Sequence, residues 1–322
     1  MNPTQLDESL GTSELLKWAF GAKLCKLFED KTVIEIMLNP DGKLWVERLG
    51  ENMQEIGTMA ASQAECLMGT LASLQKSVLT ESNPAISCEL PKQFGNARFQ
   101  GHIPPVVKSP AFTIRKKAIA VFTLQEYVER GIMTQEQREV IEEAVRDRQN
   151  ILIAGGTGSG KTTLTNAVVR YVSDVCPHDR IVILEDTGEL MCTAKNASLM
   201  LATPEFNMSR LLQDTLRCRP DRILVGEVRN GAALDLLMAW NTGHPGGVCT
   251  LHSDSAIKAL SRMELMIAMV SAGPMQSLIA EAVHLIIYIE KCSGSRRIKE
   301  IVKVRGYDGQ GYLTQQVGNI NE

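Results

Sequence analysis

No stretch of the chain approaches the run of about 18 apolar residues that a membrane-spanning helix requires. The first residues, Met1 to Leu10, are polar and acidic, not a basic segment followed by an apolar one, so no export signal is read there. The expected location is the cytoplasm, at most as a peripheral protein on the inner face of the membrane. Charge excess is missing too. Lys and Arg number 34 against 37 Asp and Glu, a net charge of −3 that excludes a global pull toward nucleic acid or anionic lipid. Local basic patches stay open, but Arg115-Lys116-Lys117 and the stretch from Lys291 to Arg305 read as solvated faces. None of the eight cysteines (Cys25, Cys66, Cys88, Cys176, Cys192, Cys218, Cys249, Cys292) belongs to a C-x-x-C pair. A zinc ribbon and a redox dithiol are therefore not suggested, and the thiols read as small buried hydrophobes in a reducing compartment. Internal repeats and low-complexity tracts are also lacking.

What is present is enough for two cores. A chain of 322 residues exceeds what most single cores hold, and 44% hydrophobic with 22% charged residues suits globular domains. The halves read differently. Residues 1–117 look α+β and antiparallel. A helix is expected over Ser13 to Phe28, then Val33 to Leu38, the turn Asn39-Pro40-Asp41-Gly42 and Lys43 to Arg48 as a hairpin. A second helix is expected over Ser62 to Val78, with short strands around Ala85 to Leu90, Ala97 to Ile103 and Ala111 to Arg115. Residues 118–322 alternate strand and helix. Two capping boxes, Thr123 with Glu126 and Thr134 with Gln137, open helices there.

Ile151-Leu152-Ile153-Ala154 runs directly into Gly155-Gly156-Thr157-Gly158-Ser159-Gly160-Lys161-Thr162. The spacing is G-x-x-x-x-G-K-[ST], preceded by an apolar strand and followed by the helix-compatible Thr163 to Val172, which together define a P-loop. Glycines let backbone N–H groups curl around phosphate oxygens with no Cβ in the way. Lys161 then reaches the β- and γ-phosphates, the Thr162 hydroxyl ligates Mg²⁺, and the helix start contributes its positive dipole end. The chain is expected to bind a nucleoside triphosphate.

Three further apolar runs end, like the first, in a polar group. Ile181 to Leu184 stops at Glu185-Asp186, Ile223 to Val225 at Gly226-Glu227, and Val248 to Leu251 at His252-Ser253. Runs of this kind suit strands of a parallel sheet buried on both faces, and such sheets bind ligands at their carboxyl ends. All four groups should then meet at one edge. Glu227 reads as the residue that orients the attacking water, against the plainer reading of a solvated loop acid. Glu185 reads as a metal-side or water-side group, against a helix cap. His252 reads as a γ-phosphate sensor, against a core histidine, and His244 in Gly243-His244-Pro245-Gly246-Gly247 stays undecided. The two histidines are not at a metal-ligand spacing.

In order, the P-loop, the acidic box Ile183-Leu184-Glu185-Asp186-Thr187-Gly188-Glu189-Leu190, the Walker B stretch Leu216 to Arg229 and the histidine box Thr242 to Ser253 resemble the secretion-ATPase superfamily. The first half resembles it too, in Glu35-Ile36-Met37-Leu38-Asn39, in Arg98 upstream of Ile103-Pro104-Pro105-Val106, and in Thr113-Ile114-Arg115-Lys116. The compact length and the lack of a four-cysteine element point away from type II secretion, and the chain looks most like the conjugal-transfer, TrbB-type branch of type IV secretion.

The resemblance implies a RecA-like P-loop ATPase domain with a mostly parallel sheet, preceded by a smaller α+β domain, in a homo-hexameric ring. It implies ATP and Mg²⁺ as ligands, and other type IV secretion components at the cytoplasmic membrane face as partners. Matched motif by motif, Gly155 to Thr163 cradle the phosphates, Lys161 contacts them, and Thr162 and Glu185 stand at the metal. Glu227 is the general base, and His252 reports on the γ-phosphate. Arg98 and Arg115 reach the nucleotide from the N-terminal domain, against a plainer reading as surface arginines. Gly226 occupies a position where many P-loop ATPases carry a metal-side aspartate, a glycine that the superfamily shares.

The expected activity is ATP hydrolysis coupled to domain movement, powering conjugative transfer or pilus assembly. The alternatives are a pilus-retraction or type II secretion motor, a nucleic-acid translocase, and a nucleotide-dependent scaffold. Direct nucleic-acid binding stays open.

Overall fold

A computed structural model of the chain describes residues 3–48, 51–117, 121–203, 205–292 and 295–318, with side chains from residue 14 onward. The chain divides into two compact units, Met1–Ile119 and Ala120–Glu322. The boundary expected at 117/118 falls against residues 118–120, which lie outside the described residues.

The first unit runs α1 (Pro3–Glu29), β1 (Val33–Leu38), β2 (Lys43–Arg48), β3 (Gln54–Thr58), α2 (Ala61–Leu74), β4 (Ala85–Glu89), β5 (Arg98–His102) and β6 (Ala111–Arg115). Its six strands form a sheet of order β3-β2-β1-β6-β5-β4 in which every pair is antiparallel. The expected hairpin is there: the Gly42 N–H donates to Asn39 O at 2.9 Å and Leu38 faces Leu44. Strand residues mostly alternate between buried and partly exposed, as a sheet packed on one face demands. The buried set, including Ile36, Leu44, Phe99 and Ile114, packs against Leu16, Phe20 and Leu24 of α1 and Leu67, Met68 and Leu71 of α2. Gly21 breaks α1 at φ 72°, and a Cβ there would stand 3.2 Å from Gln63 Nε2, so glycine permits both the kink and the close approach of α2. The second helix ends at Leu74, short of the expected Val78, where Lys76 turns to φ 55°. Strand β3 was not expected. Its sequence Gln-Glu-Ile-Gly-Thr is too polar to announce a strand, and it forms only because it sits at the sheet's edge beside β2.

The second unit contains α3 (Leu124–Glu129), α4 (Gln135–Arg146), β7 (Ile151–Gly155), α5 (Lys161–Val175), β8 (Ile181–Glu185), β9 (Ala197–Leu201), α6 (Met208–Thr215), β10 (Arg222–Val225), α7 (Ala232–Asn241), β11 (Val248–His252), α8 (Ala256–Ile267), α9 (Gln276–Ala282), β12 (Leu285–Cys292), β13 (Ser295–Tyr307) and β14 (Tyr312–Val317). Both capping boxes are made, with Glu126 and Gln137 bonding back to Thr123 and Thr134. The eight strands take the order β14-β13-β12-β7-β11-β10-β8-β9. The pairs from β12 through β9 are parallel, and β13 and β14 add an antiparallel edge. Helices α6 to α9 close one core on the Leu152, Val182 and Cys249 side, and α3 to α5 close another on the Ile151, Ile153 and Ile183 side. With both faces covered, β7, β8 and β10 are buried at every position, and polar chemistry is left to the strand ends. The fold is that of a RecA-like P-loop NTPase unit preceded by an antiparallel α+β unit.

Candidate active site

Strand β7 delivers Gly155 to the start of the P-loop, and α5 begins at Lys161. Gly158 and Gly160 take φ of 69° and 96°, the left-handed turn that aims successive N–H groups to one side. A Cβ at Gly155 would stand 2.4 Å from Ile289 O and 2.5 Å from Ser159 Oγ, so only glycine fits where the loop leaves the sheet. Beyond Gly156 and Gly158 a Cβ would meet nothing within 4 Å, so the mouth of the loop is open. Ser159 Oγ is buried and has no hydrogen-bond partner among the described residues. A glycine-lined cradle with a buried lysine and an unsatisfied hydroxyl fits a phosphate chain.

Register brings the other strand ends to the same place. His252 of β11 is the direct partner of Gly155, and β10 lies next to β11. Lys161 is 8% exposed, and its Nζ donates to Gly155 O and Gly156 O at 2.9 Å each and lies 3.3 Å from His252 Nδ1. His252 Nε2 is 3.1 Å from Glu227 Oε1. The other carboxylate oxygen of Glu227 accepts from Arg229 Nη2 at 2.6 Å, and Arg229 Nη1 lies 3.5 Å from Asp186. Lysine, histidine, glutamate, arginine and aspartate thus form one continuous polar chain across the carboxyl ends of β7, β11, β10 and β8. Arg229 closes the Walker B stretch with no role that the motif assigns; its place two residues after Glu227 is the signal that the sequence offers.

Glu185 is 2% exposed at the end of β8. Its Oε1 accepts from the N–H groups of Glu189 and Leu190 at 3.0 and 2.9 Å, which closes the acidic-box loop. Asn166 of α5 holds the same loop, accepting from Met191 N at 2.8 Å and donating to Glu189 O at 3.3 Å. The loop is thereby tied to the P-loop helix. The same carboxylate explains Gly226: a Cβ there would stand 2.9 Å from Glu185 Cγ and 3.1 Å from Oε1. An aspartate at 226 and a glutamate at 185 would compete for one space.

The histidine box divides. Gly243 to Gly247 precede β11 and lie at the amino ends of the strands, where Gly246 N and Gly247 N both donate to Asn150 Oδ1 at 2.9 Å. His244 Nδ1 is 3.3 Å from Ala239 O, and the whole length of β11 separates it from His252. Arg222 opens β10 at this same amino end. It is 1% exposed and bonds Asp179 at 2.7 Å and Gly246 O and Val145 O at 3.1 Å each.

In the first unit, Arg98 and Arg115 are register partners on β5 and β6, both exposed. Arg115 Nε lies 3.5 Å from Glu35 Oε1. Burial pushes the Glu35 carboxyl pKa up, Arg115 opposes that, and neighbouring Glu47 adds to it.

A doubly covered parallel sheet with a P-loop and a glutamate and a histidine at adjacent strand ends defines a nucleoside triphosphatase of RecA-like architecture. The chain belongs to the type II/IV secretion system protein family, which it matches over residues 22–317. It is 47% identical over 319 residues to the conjugal transfer protein TrbB of Rhizobium radiobacter, covering 99% of this chain and 98% of that one. It is 49% identical over 297 residues to the probable conjugal transfer protein TrbB of Sinorhizobium fredii, covering 92% and 91% of the two chains. Among solved structures, the Yersinia pseudotuberculosis ATPase DotB shares its fold with a TM-score of 0.61 at 18% identity, covering 90% of this chain and 76% of that one. The chain is accordingly an ATP-hydrolysing traffic ATPase of the secretion superfamily. Among the described residues, no helix is long and apolar enough to cross a membrane.

Proposed function

We propose that this chain hydrolyses Mg²⁺-ATP to drive conjugative DNA transfer through a type IV secretion machine, working as a homo-hexameric ring on the cytoplasmic face of the membrane. The observation that carries the chemical half is the polar chain from Lys161 through His252 to Glu227, with links of 3.3 and 3.1 Å. The likeness to two conjugal transfer proteins over nearly full length supports the biological half.

Gly155 to Thr163 wrap the phosphates with backbone N–H groups, and Lys161 neutralises charge on them. Thr162 and Glu185 are the proposed metal-side groups; Glu185 also fixes the acidic-box loop. Mg²⁺ held by Thr162 and Glu185 would supply positive charge against the phosphates. Glu227 orients and deprotonates the attacking water. His252, between Lys161 and Glu227, senses whether a γ-phosphate is present. Arg98 and Arg115 contribute positive charge to the nucleotide.

Two substitutions test the site together. Lys161→Ala should remove tight ATP binding and lower turnover on the order of a hundred- to a thousandfold. Glu227→Gln should keep ATP binding while turnover falls by a similar factor. Equilibrium ATP binding and steady-state phosphate release read both. Near wild-type turnover in Glu227→Gln would remove that residue as the base.

A further inference from the structure

One member of the basic stretch Lys291 to Arg305 departs from its neighbours. Arg297 and Lys299 turn toward Glu290, at 3.1 and 3.0 Å, on the outer face of the β12–β13 hairpin. Arg296 points to the other face and lies along Gly160, the last glycine of the P-loop and the cap of α5. A Cβ at 160 would stand 3.1 Å from Arg296 Cδ and 3.4 Å from its Nε.

The placement is built into the fold. Arg296 pairs with Lys291 across the hairpin, and Ile298 pairs with Ile289. Two residues along the same face, Ile298 is fully buried. Its N–H donates to Ile132 O at 2.8 Å, and its carbonyl accepts from Gln137 Nε2 at 3.3 Å. Ile289 also reaches Gly160, so the inner face of the hairpin is laid on the P-loop turn. On its other side Arg296 approaches α3. Burial raises the pKa of the Tyr127 hydroxyl there, and the charges of Arg296 and Arg130 oppose that shift. No carboxylate pairs with Arg296 among the described residues, whereas Arg297, Lys299 and Lys303 each have one.

We propose that Arg296 is a nucleotide-binding residue whose guanidinium donates to the phosphate chain held by the P-loop. It would bring a second fixed cation to the turn from the side opposite His252. Arginine suits the position because its planar fork meets two phosphate oxygens at once and keeps its charge at any working pH. Its stem is already packed on Gly160, so little side-chain freedom is lost on contact. The proposal rests on the P-loop binding a nucleoside triphosphate, as set out above.

The test is calorimetric titration of the full-length protein with Mg²⁺-ATP and, separately, with inorganic tripolyphosphate. Arg296→Ala should weaken both ligands by about tenfold to a hundredfold. Arg296→Lys should fall between that variant and wild type, and Arg297→Ala should match wild type. Thermal melts check folding, and Arg296→Gln, which keeps the stem and loses the charge, replaces the alanine variant if the latter unfolds. Wild-type affinity in Arg296→Ala would overturn the proposal, as would an equal loss in Arg297→Ala. Loss of ATP binding with tripolyphosphate unaffected would assign Arg296 to the base and overturn the phosphate contact. A wild-type protein that binds neither ligand would overturn the nucleotide reading itself, and this proposal with it.

Discussion

The two sheets of this chain carry their polar residues in different places. In the second unit both faces of the central strands are covered, and the functional groups stand only at strand ends, as Gly155, Glu185 and His252 do. In the first unit the described helices pack on one face. There Glu47, Glu35, Arg115, Arg98 and Glu89 form one row across five strands, each the register partner of the next. A sheet buried on both sides must export its chemistry to an edge, whereas a half-covered sheet can display charge across its width. The second unit contains a further contrast, between the two ends of its own strands. The carboxyl ends hold the polar chain from Lys161 to Asp186, and the amino ends hold buried Arg222 and the glycines before β11.

The largest expected effect lies at that amino end. Asp179→Ala would leave the Arg222 guanidinium buried without its carboxylate, a loss of about 3–5 kcal/mol for a broken buried pair. Calorimetric or chemical unfolding should show the loss in the second unit. The pH dependence has a definite sign. Burial would raise the Asp179 carboxyl, but its bonds to Arg222 and Arg148 outweigh that and hold its pKa below the usual range. Its stabilisation is therefore fully present above about pH 4, the ordinary aspartate value, and fades as pH falls through the lowered one. The variant should lack that acid-side decline. An unchanged unfolding midpoint at neutral pH would mean the amino end does not lock the sheet.

This contrast also separates what the sequence disclosed from what it concealed. The four apolar runs, their parallel arrangement and the meeting of Lys161, Glu227 and His252 were all legible, because strands buried on both faces leave an unbroken apolar signature. The capping boxes were legible because each needs two residues at a fixed spacing. Strands β3 and β9 were not: β3 is polar, and β9 is an edge strand of alternating exposure. The space that Glu185 takes beside Gly226 is a contact between neighbouring strands, and no spacing along the chain encodes it. Arg296 was hidden by its own surroundings, since a run of basic residues does not show which member turns inward.

A smaller effect is expected in the half-covered sheet. Arg98→Ala and Arg115→Ala should each lower ATP turnover by about tenfold to a hundredfold if these side chains meet the nucleotide. Stability should move by only about 0.5 kcal/mol, because both side chains are exposed on the polar face. Substitution by lysine should rescue poorly, since the planar fork is lost. Steady-state turnover measured beside melting temperature distinguishes this from the plainer reading. Wild-type turnover in both variants would make the charged row a solvated surface and would confine the chemistry to the second unit.

The smallest effect sharpens the comparison between the two ends of β11. His252 and His244 come from one motif, in which the sequence gives His252 a phosphate-sensing role and leaves that of His244 undecided. The fold separates them by the strand's full length: His252 lies between Lys161 and Glu227, while His244 lies beside Ala239 O at the end of α7. His252→Ala should lower turnover at saturating ATP by about tenfold or more, since it removes the link between the lysine and the base. His244→Ala removes one weak contact to a helix-end carbonyl, worth about 0.5–1.5 kcal/mol of stability. It should change turnover by less than about twofold, because its bond to Ala239 O lies at the amino ends of the strands, away from the phosphate side. Turnover and melting temperature of the two variants, measured together, decide the matter. If His244→Ala costs as much activity as His252→Ala, the two ends of the strand are coupled, and the division of the sheet into a structural end and a chemical end fails.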